Sequence, residues 1–289
     1  MKNKELVNEN DLIFLVLDSK RRWLVEARPG ETFHTHKGVI EFDDIIGKPF
    51  GSCVFSHPRE DQGYKFLFFK PLPTDYIKHM GRKTQIIYPK DAGIILLYSG
   101  IGPGSRVIEA GCGSGALTCI LGNYVRPDGY IFSFDIREKS LKTAKRNVKR
   151  AKLDKYVSID HKNILDDDLQ LENIDAIVLD MPVPWKAVEA VKKYLKLSGI
   201  IVSFSPTIEQ AKKTYFALRE NDFFEVGTYE FMQREFQVKK HATRPKEGYH
   251  SGYLTFGRKF QDEKNPYRGI KPKKKTFINM DNMPLRRED

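Results

Sequence analysis

The run from Val107 to Thr118, Val-Ile-Glu-Ala-Gly-Cys-Gly-Ser-Gly-Ala-Leu-Thr, constrains the fold of this chain more than any other stretch. Apolar residues give way to Gly111, Gly113 and Gly115 and then resume at helical spacing, which predicts a strand, a tight turn and a helix. Such a turn needs backbone conformations that side chains disfavour, and it lets a ligand lie against bare amides at a helix N-terminus. Tyr130 to Phe134 reads as the next buried strand. It ends at Asp135, about twenty residues beyond the glycines, where a carboxylate for ribose hydroxyls is expected. A βαβ unit holding a nucleotide-like cofactor follows. Gly111-Cys-Gly-Ser-Gly-Ala116 also satisfies the dinucleotide form, so the glycines alone leave NAD open.

Around this unit the pattern alternates. Lys90 to Tyr98 predicts a helix, Lys139 to Leu153 an amphipathic crossover helix, Ile174 to Leu179 a strand, Trp185 to Leu197 a helix closed by Ser198-Gly199, Ile200 to Phe204 a strand and Ile208 to Asn221 a helix. Strands near Phe224 to Glu230 and Gly252 to Gly257 complete the series. Helices alternating with apolar strands imply an α/β fold, a mostly parallel doubly wound sheet, here with an antiparallel edge. Residues 1–74 read as a small β domain, with strand-like runs at Leu12 to Leu17, Trp23 to Glu26 and Tyr64 to Phe69. Residues 75–260 form the α/β domain. Residues 261–289, with Lys271-Pro-Lys-Lys-Lys275 and few apolar side chains, read as a basic flexible tail.

A net charge of +11 points to a polyanionic partner, with nucleic acid the candidate, against the competing reading of a basic surface kept for solubility. The three cysteines, Cys53, Cys112 and Cys119, lack paired spacing, which argues against a disulfide framework or a zinc site. Leu12 to Leu17 is far shorter than a membrane span. The expectation is a soluble cytoplasmic protein without metal or membrane partner.

In a parallel sheet, ligands bind beyond the carboxyl ends of the strands, and Asp135, Asn163 and Asp180 each follow their own strand. Asp135 is placed for ribose and Asn163 for an adenine edge, with a helix N-cap as the alternative role for each. Asp180 stands in Leu179-Asp-Met-Pro-Val-Pro-Trp185, where two prolines restrict the backbone and hold a carboxylate and an indole near the pocket mouth. Trp185 packing at the start of its helix is the competing reading.

These segments together resemble the N1-specific adenine methyltransferases that modify the T-loop of tRNA, bacterial and archaeal relatives of the catalytic subunit of the eukaryotic two-subunit enzyme. Arg82-Lys-Thr-Gln-Ile-Ile-Tyr-Pro-Lys-Asp91, Glu109-Ala-Gly-Cys-Gly-Ser-Gly115, the Asp180 segment, and Arg244-Pro with His250-Ser-Gly-Tyr-Leu-Thr-Phe256 carry the resemblance, from about Gly81 to Phe260. It implies a class I, Rossmann-like methyltransferase fold behind a small N-terminal β domain, and a homotetramer acting on tRNA. It also implies that Gln85, Gly111, Gly113, Ser114, Gly115, Ala116, Leu117 and Ser140 line S-adenosylmethionine, with Asp135 on its ribose and Asn163 on its adenine. Asp180 would contact the cofactor and face the target base as the catalytic residue. Tyr88 or Trp185 would stack on that base, and Arg82, Lys83, Arg244 and Lys246 would contact phosphates. The sequence departs from the family at Asn163 and Val183, often acidic there, and at Phe204, commonly tyrosine.

Other readings are a catalytically silent RNA-binding partner subunit, which cofactor binding would exclude, and a class I methyltransferase with another acceptor, since the glycine turn does not identify the acceptor. An NAD-linked dehydrogenase lacks an evident His or Tyr/Lys constellation at a strand end.

Overall fold

The computed structural model describes residues 5–58, 63–80, 86–248 and 250–261. Its front region is built from β1 (Asp11–Val16), β2 (Arg22–Ala27), β5 (Cys53–Phe55) and β6 (Lys65–Phe69), an antiparallel sheet of order β2-β1-β6-β5. A separate hairpin, β3 (Thr32–Thr35) with β4 (Gly38–Glu41), lies between β2 and β5 in the chain. Inward residues alternate along β1 and β6, and Ile13, Leu15, Phe66 and Phe68 are fully buried with Ile40 and Ile45. The strand-like runs in the sequence match β1, β2 and β6. The short β3, β4 and β5 had no comparable apolar run.

The large sheet has order β12-β15-β11-β10-β7-β8-β9. Its elements follow α1 (Pro73–His79) and α2 (Pro89–Tyr98). They are β7 (Arg106–Ala110), α3 (Ala116–Tyr124), β8 (Tyr130–Asp135), α4 (Glu138–Arg150), β9 (Val157–His161), β10 (Ile174–Leu179), α5 (Pro184–Val191), β11 (Leu195–Ser205), α6 (Ile208–Glu220), β12 (Phe223–Tyr229) and β15 (Tyr253–Lys259). Between β12 and β15 the chain leaves the sheet to form the hairpin β13 (Phe236–Lys239) and β14 (Ala242–Pro245). The five strands from β9 to β11 are parallel, and β15 is antiparallel to both β11 and β12. The antiparallel strand therefore sits one in from the edge. This is the doubly wound α/β sheet expected from the alternation, with two apolar cores, one on each face.

The helix expected over Trp185 to Leu197 ends early. α5 stops at Val191, a single tight turn spans Lys192–Tyr194, and the chain is extended from Leu195. Two interactions hold this geometry. Lys259 donates to the carbonyls of Lys192 (2.8 Å) and Leu195 (2.5 Å), groups a longer helix would have paired internally. Tyr194 is buried, its hydroxyl accepting from the Leu169 amide at 2.9 Å and donating to Asp168. Ser198-Gly199, which resembles a helix stop, lies within β11, with Ser198 at φ 67°.

The front sheet docks on the α/β region through side chains. Lys152 pairs with Asp11 at 2.8 Å, Arg150 donates to the Leu24 carbonyl at 3.2 Å, and the rings of Phe14 and His79 lie 5.1 Å apart. Among the described residues no helix is long and apolar enough to cross a membrane. The tail from residue 262 onward lies outside the described residues.

Candidate active site

The turn after β7 is shaped by what surrounds it. Gly111 has φ +93°, and a Cβ there would lie 1.9 Å from the Asp180 carbonyl oxygen. The Gly111 amide donates to the Phe134 carbonyl and the Asp180 amide to the Ala110 carbonyl, both at 2.8 Å. The ends of β7, β8 and β10 are thus drawn together by main chain alone. Gly115, at φ +80°, precedes α3, and a Cβ there would meet Ala144 of α4 at 2.9 Å. No side chain caps α3, so its first amides, which have no intrahelical acceptor, are left for a ligand. Ser114, Ala116 and Leu117 are buried beside them, and the Ser114 hydroxyl has no partner. Ser140 is buried in the first turn of α4.

Carboxylates surround this cradle. Asp135 accepts from the Gly113 amide at 3.1 Å, and from the Arg137 amide (2.9 Å) and guanidinium (3.2 Å). Burial pushes its carboxyl up, but these donors outweigh it and hold the group below the ordinary aspartate value. Asp180 has no such donor set. Burial raises it to about 7, with the Arg137 guanidinium opposing and the Asp135 charge adding. Glu109, beneath the turn on β7, is 1% exposed and accepts from the hydroxyls of Thr118 and Ser133, both at 2.6 Å. Burial raises it to about 7 against those hydroxyls, with Asp180 and Asp135 adding. Three carboxyls around a bare-backbone turn favour a cationic ligand, whose charge would ease their mutual repulsion. The cavity here is about 300 Å³, at the small end for organic ligands. Gly111, Asp135, Asn163, Asp180, Met181 and Val183 line it.

The other expected residues fall in different places. Asn163 is on the cavity wall, but its amide is turned into its own loop, accepting from the Leu165 amide at 3.2 Å and donating to Asp166. Trp185 does not line the cavity. It is half-buried near α6, with Lys213 4.8 Å from its ring centre. Tyr88 is 46% exposed immediately before Pro89 of α2. Arg82, Lys83 and Gln85 lie outside the described residues. Arg244 is exposed on β14, and Lys246 just beyond it pairs with Glu235 at 2.8 Å.

One partly buried lysine joins segments far apart in the chain. Lys90 donates to Asp91 (2.8 Å), to the Phe231 carbonyl (2.6 Å) and to the Ser251 hydroxyl (2.5 Å), while that hydroxyl donates to the other Asp91 oxygen at 2.8 Å. All three ammonium protons are used. The knot fastens both ends of the excursion between β12 and β15 to α2. Lys90, Asp91 and Ser251 occur in the motifs quoted above, yet spacing alone gives no sign that they meet.

Family models match two parts of the chain: the tRNA methyltransferase complex GCD14 subunit over residues 63–252 and the TrmI-like N-terminal region over residues 12–54. The tRNA (adenine(57)-N(1)/adenine(58)-N(1))-methyltransferase TrmI of Methanocaldococcus jannaschii is 34% identical over 271 residues, covering 84% of this chain and 94% of that protein. The chain belongs to the TrmI-type tRNA (adenine-N1)-methyltransferase family.

The family extends to a tRNA (adenine(58)-N(1))-methyltransferase catalytic subunit of Cryptococcus neoformans, 31% identical over 80% of this chain but only 54% of that longer protein. The crystal structure of the Aquifex aeolicus tRNA (m1A58) methyltransferase TrmI superimposes with a TM-score of 0.73 at 29% identity, covering 89% of this chain and all of that one. A Thermotoga maritima structure described as an S-adenosylmethionine-dependent O-methyltransferase gives 0.79 at 28% identity, covering 89% and 95%. Within this TrmI-type framework, Phe204 is 3% exposed and its ring tip fills the space where a side chain at residue 252 would stand, 2.6 Å from the position of a Cβ on Gly252.

Proposed function

We propose that this chain transfers the methyl group of S-adenosylmethionine to N1 of an adenosine in the T-loop of tRNA, the position-58 type named for its relatives. The observation that carries the reading is the buried Asp180 carboxyl on the cavity wall, on a residue whose main chain is held against the glycine turn. S-adenosylmethionine supplies an electrophilic methyl on a sulfonium centre. The turn residues Gly111 to Leu117 would hold it, Asp135 would take its ribose hydroxyls with Arg137 displaced or shared, and Asn163 would turn toward its adenine. The fit rests on the tight clearances at Gly111 and Gly115, the unpartnered Ser114 hydroxyl and the acidic surroundings.

Neutral adenine has its own lone pair on N1, so positioning matters more than strong base catalysis. As N1 becomes alkylated the ring gains positive charge. An ionised Asp180 accepting from the exocyclic amine would orient the ring and stabilise that charge where water is scarce. The base must leave its contacts in the tRNA to expose N1, and Tyr88, exposed at the head of α2, would stack on it. Arg244, with Arg82, Lys83 and Lys246, would contact phosphates.

Self-association is part of the proposal. On the β13–β14 hairpin, Phe236 and Val238 share one face with Thr243 and Pro245 and are 54% and 76% exposed, while Arg244 and Lys239 occupy the other. A second copy would cover the apolar face, and a homotetramer would repeat that contact. Incubating the enzyme with unmodified tRNA and S-adenosylmethionine, then mapping nucleosides by mass spectrometry, tests the activity. N1-methyladenosine in the T-loop is expected, and its absence refutes the reading.

A further inference from the structure

The crossover from β9 to β10 contains no helix. Residues 162–173 pass over the sheet as a loop, although the other parallel crossovers, β7 to β8, β8 to β9 and β10 to β11, carry α3, α4 and α5. The sheet face opposite α3 and α4 is therefore only partly covered. Register places Arg106 beside Tyr130, Phe132 beside Ser158 and Phe134 beside Asp160, all on that face. Tyr130 and Phe132 are half-buried with ring centres 4.9 Å apart, and the Arg106 guanidinium stands 4.9 Å over the Phe132 ring. They floor a groove of about 710 Å³. Lys155 and Lys162 border it.

We propose that this groove binds an unpaired segment of the RNA substrate. The inference rests on the tRNA activity proposed above and names a surface that delivers the substrate to it. Three features favour RNA. Paired aromatic rings capped by a guanidinium on an open sheet face form a platform on which bases stack without regard to sequence. Arg106, Lys155 and Lys162 offer charge to phosphates in a chain of net charge +11, while the Asp160 carboxylate is suited to accept from exocyclic amines of stacked bases. The groove also shares a wall with the cavity at Asp180, formed by Phe134 and Lys162. A strand lying along β8 would run from Arg106 and Tyr130 toward the strand ends at Asp135.

The test uses the full-length protein and two variants, Lys155→Glu, an exposed change that leaves the core untouched, and Tyr130→Ala. Filter retention measures the Kd for unmodified tRNA without requiring turnover, equilibrium dialysis measures that for S-adenosylmethionine, and sedimentation measures assembly. Tyr130→Ala should weaken tRNA binding about tenfold, the scale of one lost base stack. Lys155→Glu should lower the salt dependence of tRNA binding by about one phosphate contact. Cofactor affinity and sedimentation should match wild type. Wild-type tRNA affinity in both variants would overturn the proposal, as would altered sedimentation without RNA, which would make the groove a subunit contact. If the wild-type enzyme binds tRNA through this groove but does not methylate it, the activity reading fails and the groove stands.

Discussion

The two sides proposed above to hold donor and acceptor, the glycine turn and the region around Lys90, are built by different means. On the cofactor side, backbone does the positioning: positive φ at Gly111 and Gly115, main-chain bonds between adjacent strand ends, and clearances that admit no Cβ. On the acceptor side, side chains tie together segments 141 and 161 residues apart, through Lys90 to Phe231 and to Ser251. A wall made of strand ends has little freedom. A wall made of knotted side chains depends on single residues, and it carries an exposed hairpin that reaches into solvent. Donor binding and acceptor binding should therefore fail separately under mutation.

Asp180 belongs to both walls, so Asp180→Ala should have the largest effect. Turnover on tRNA should fall about a hundredfold or more with S-adenosylmethionine affinity nearly intact, and near wild-type turnover would remove Asp180 from the reaction. Gly111→Ala should weaken chiefly the donor wall. Its Cβ would press on the Asp180 carbonyl at 1.9 Å, so cofactor affinity should drop at least about tenfold in equilibrium dialysis. Lys90→Met should do the reverse, raising the KM for tRNA with little change in cofactor Kd. It leaves Asp91 buried without its cation, a cost of about 3 to 5 kcal/mol that thermal unfolding should register. Equal losses of donor and acceptor binding in either variant would dissolve the distinction between the walls.

A smaller effect comes from pH. With the Asp180 carboxyl raised to about 7, free enzyme loses the ionised form as pH falls below 7, so kcat/KM should decline about tenfold per unit there. Stability runs the other way. Between the ordinary value of 3.8 and about 7 the folded state holds a proton that the unfolded chain releases, so stability falls as pH rises through that window. Asp180→Asn should therefore melt higher than wild type at pH 8 and show no such gain at pH 4. The smallest expected change is from Phe236→Ser, which should weaken assembly in sedimentation while leaving monomer stability within about 0.5 kcal/mol.

The same contrast explains what could be read from the sequence. The glycine turn, the crossover helices and Asp135 and Asp180 follow from local pattern, because strand ends and turn glycines announce themselves within a dozen residues. The β13–β14 hairpin gave no such sign. All eight of its residues are exposed, so no buried face imposes alternation. α5 ends before its helical spacing does because Lys259, distant in sequence, takes up the carbonyls of Lys192 and Leu195. Arg137 on Asp135, Glu109 under the turn and the Lys90 knot were missed for the same reason, since each acts through a partner that only folding supplies. Asn163 and Trp185 were legible as residue types near strand ends, but their orientation depends on Asp166 and Lys213.

The contact between Gly111 and the Asp180 carbonyl has a mechanical consequence. With no slack between the two strand ends, thermal breathing of the sheet moves Gly111 and Asp180, the proposed donor and acceptor contacts, in step. The gap a methyl group must cross should then vary less with temperature than the outer hairpin's own motion would suggest.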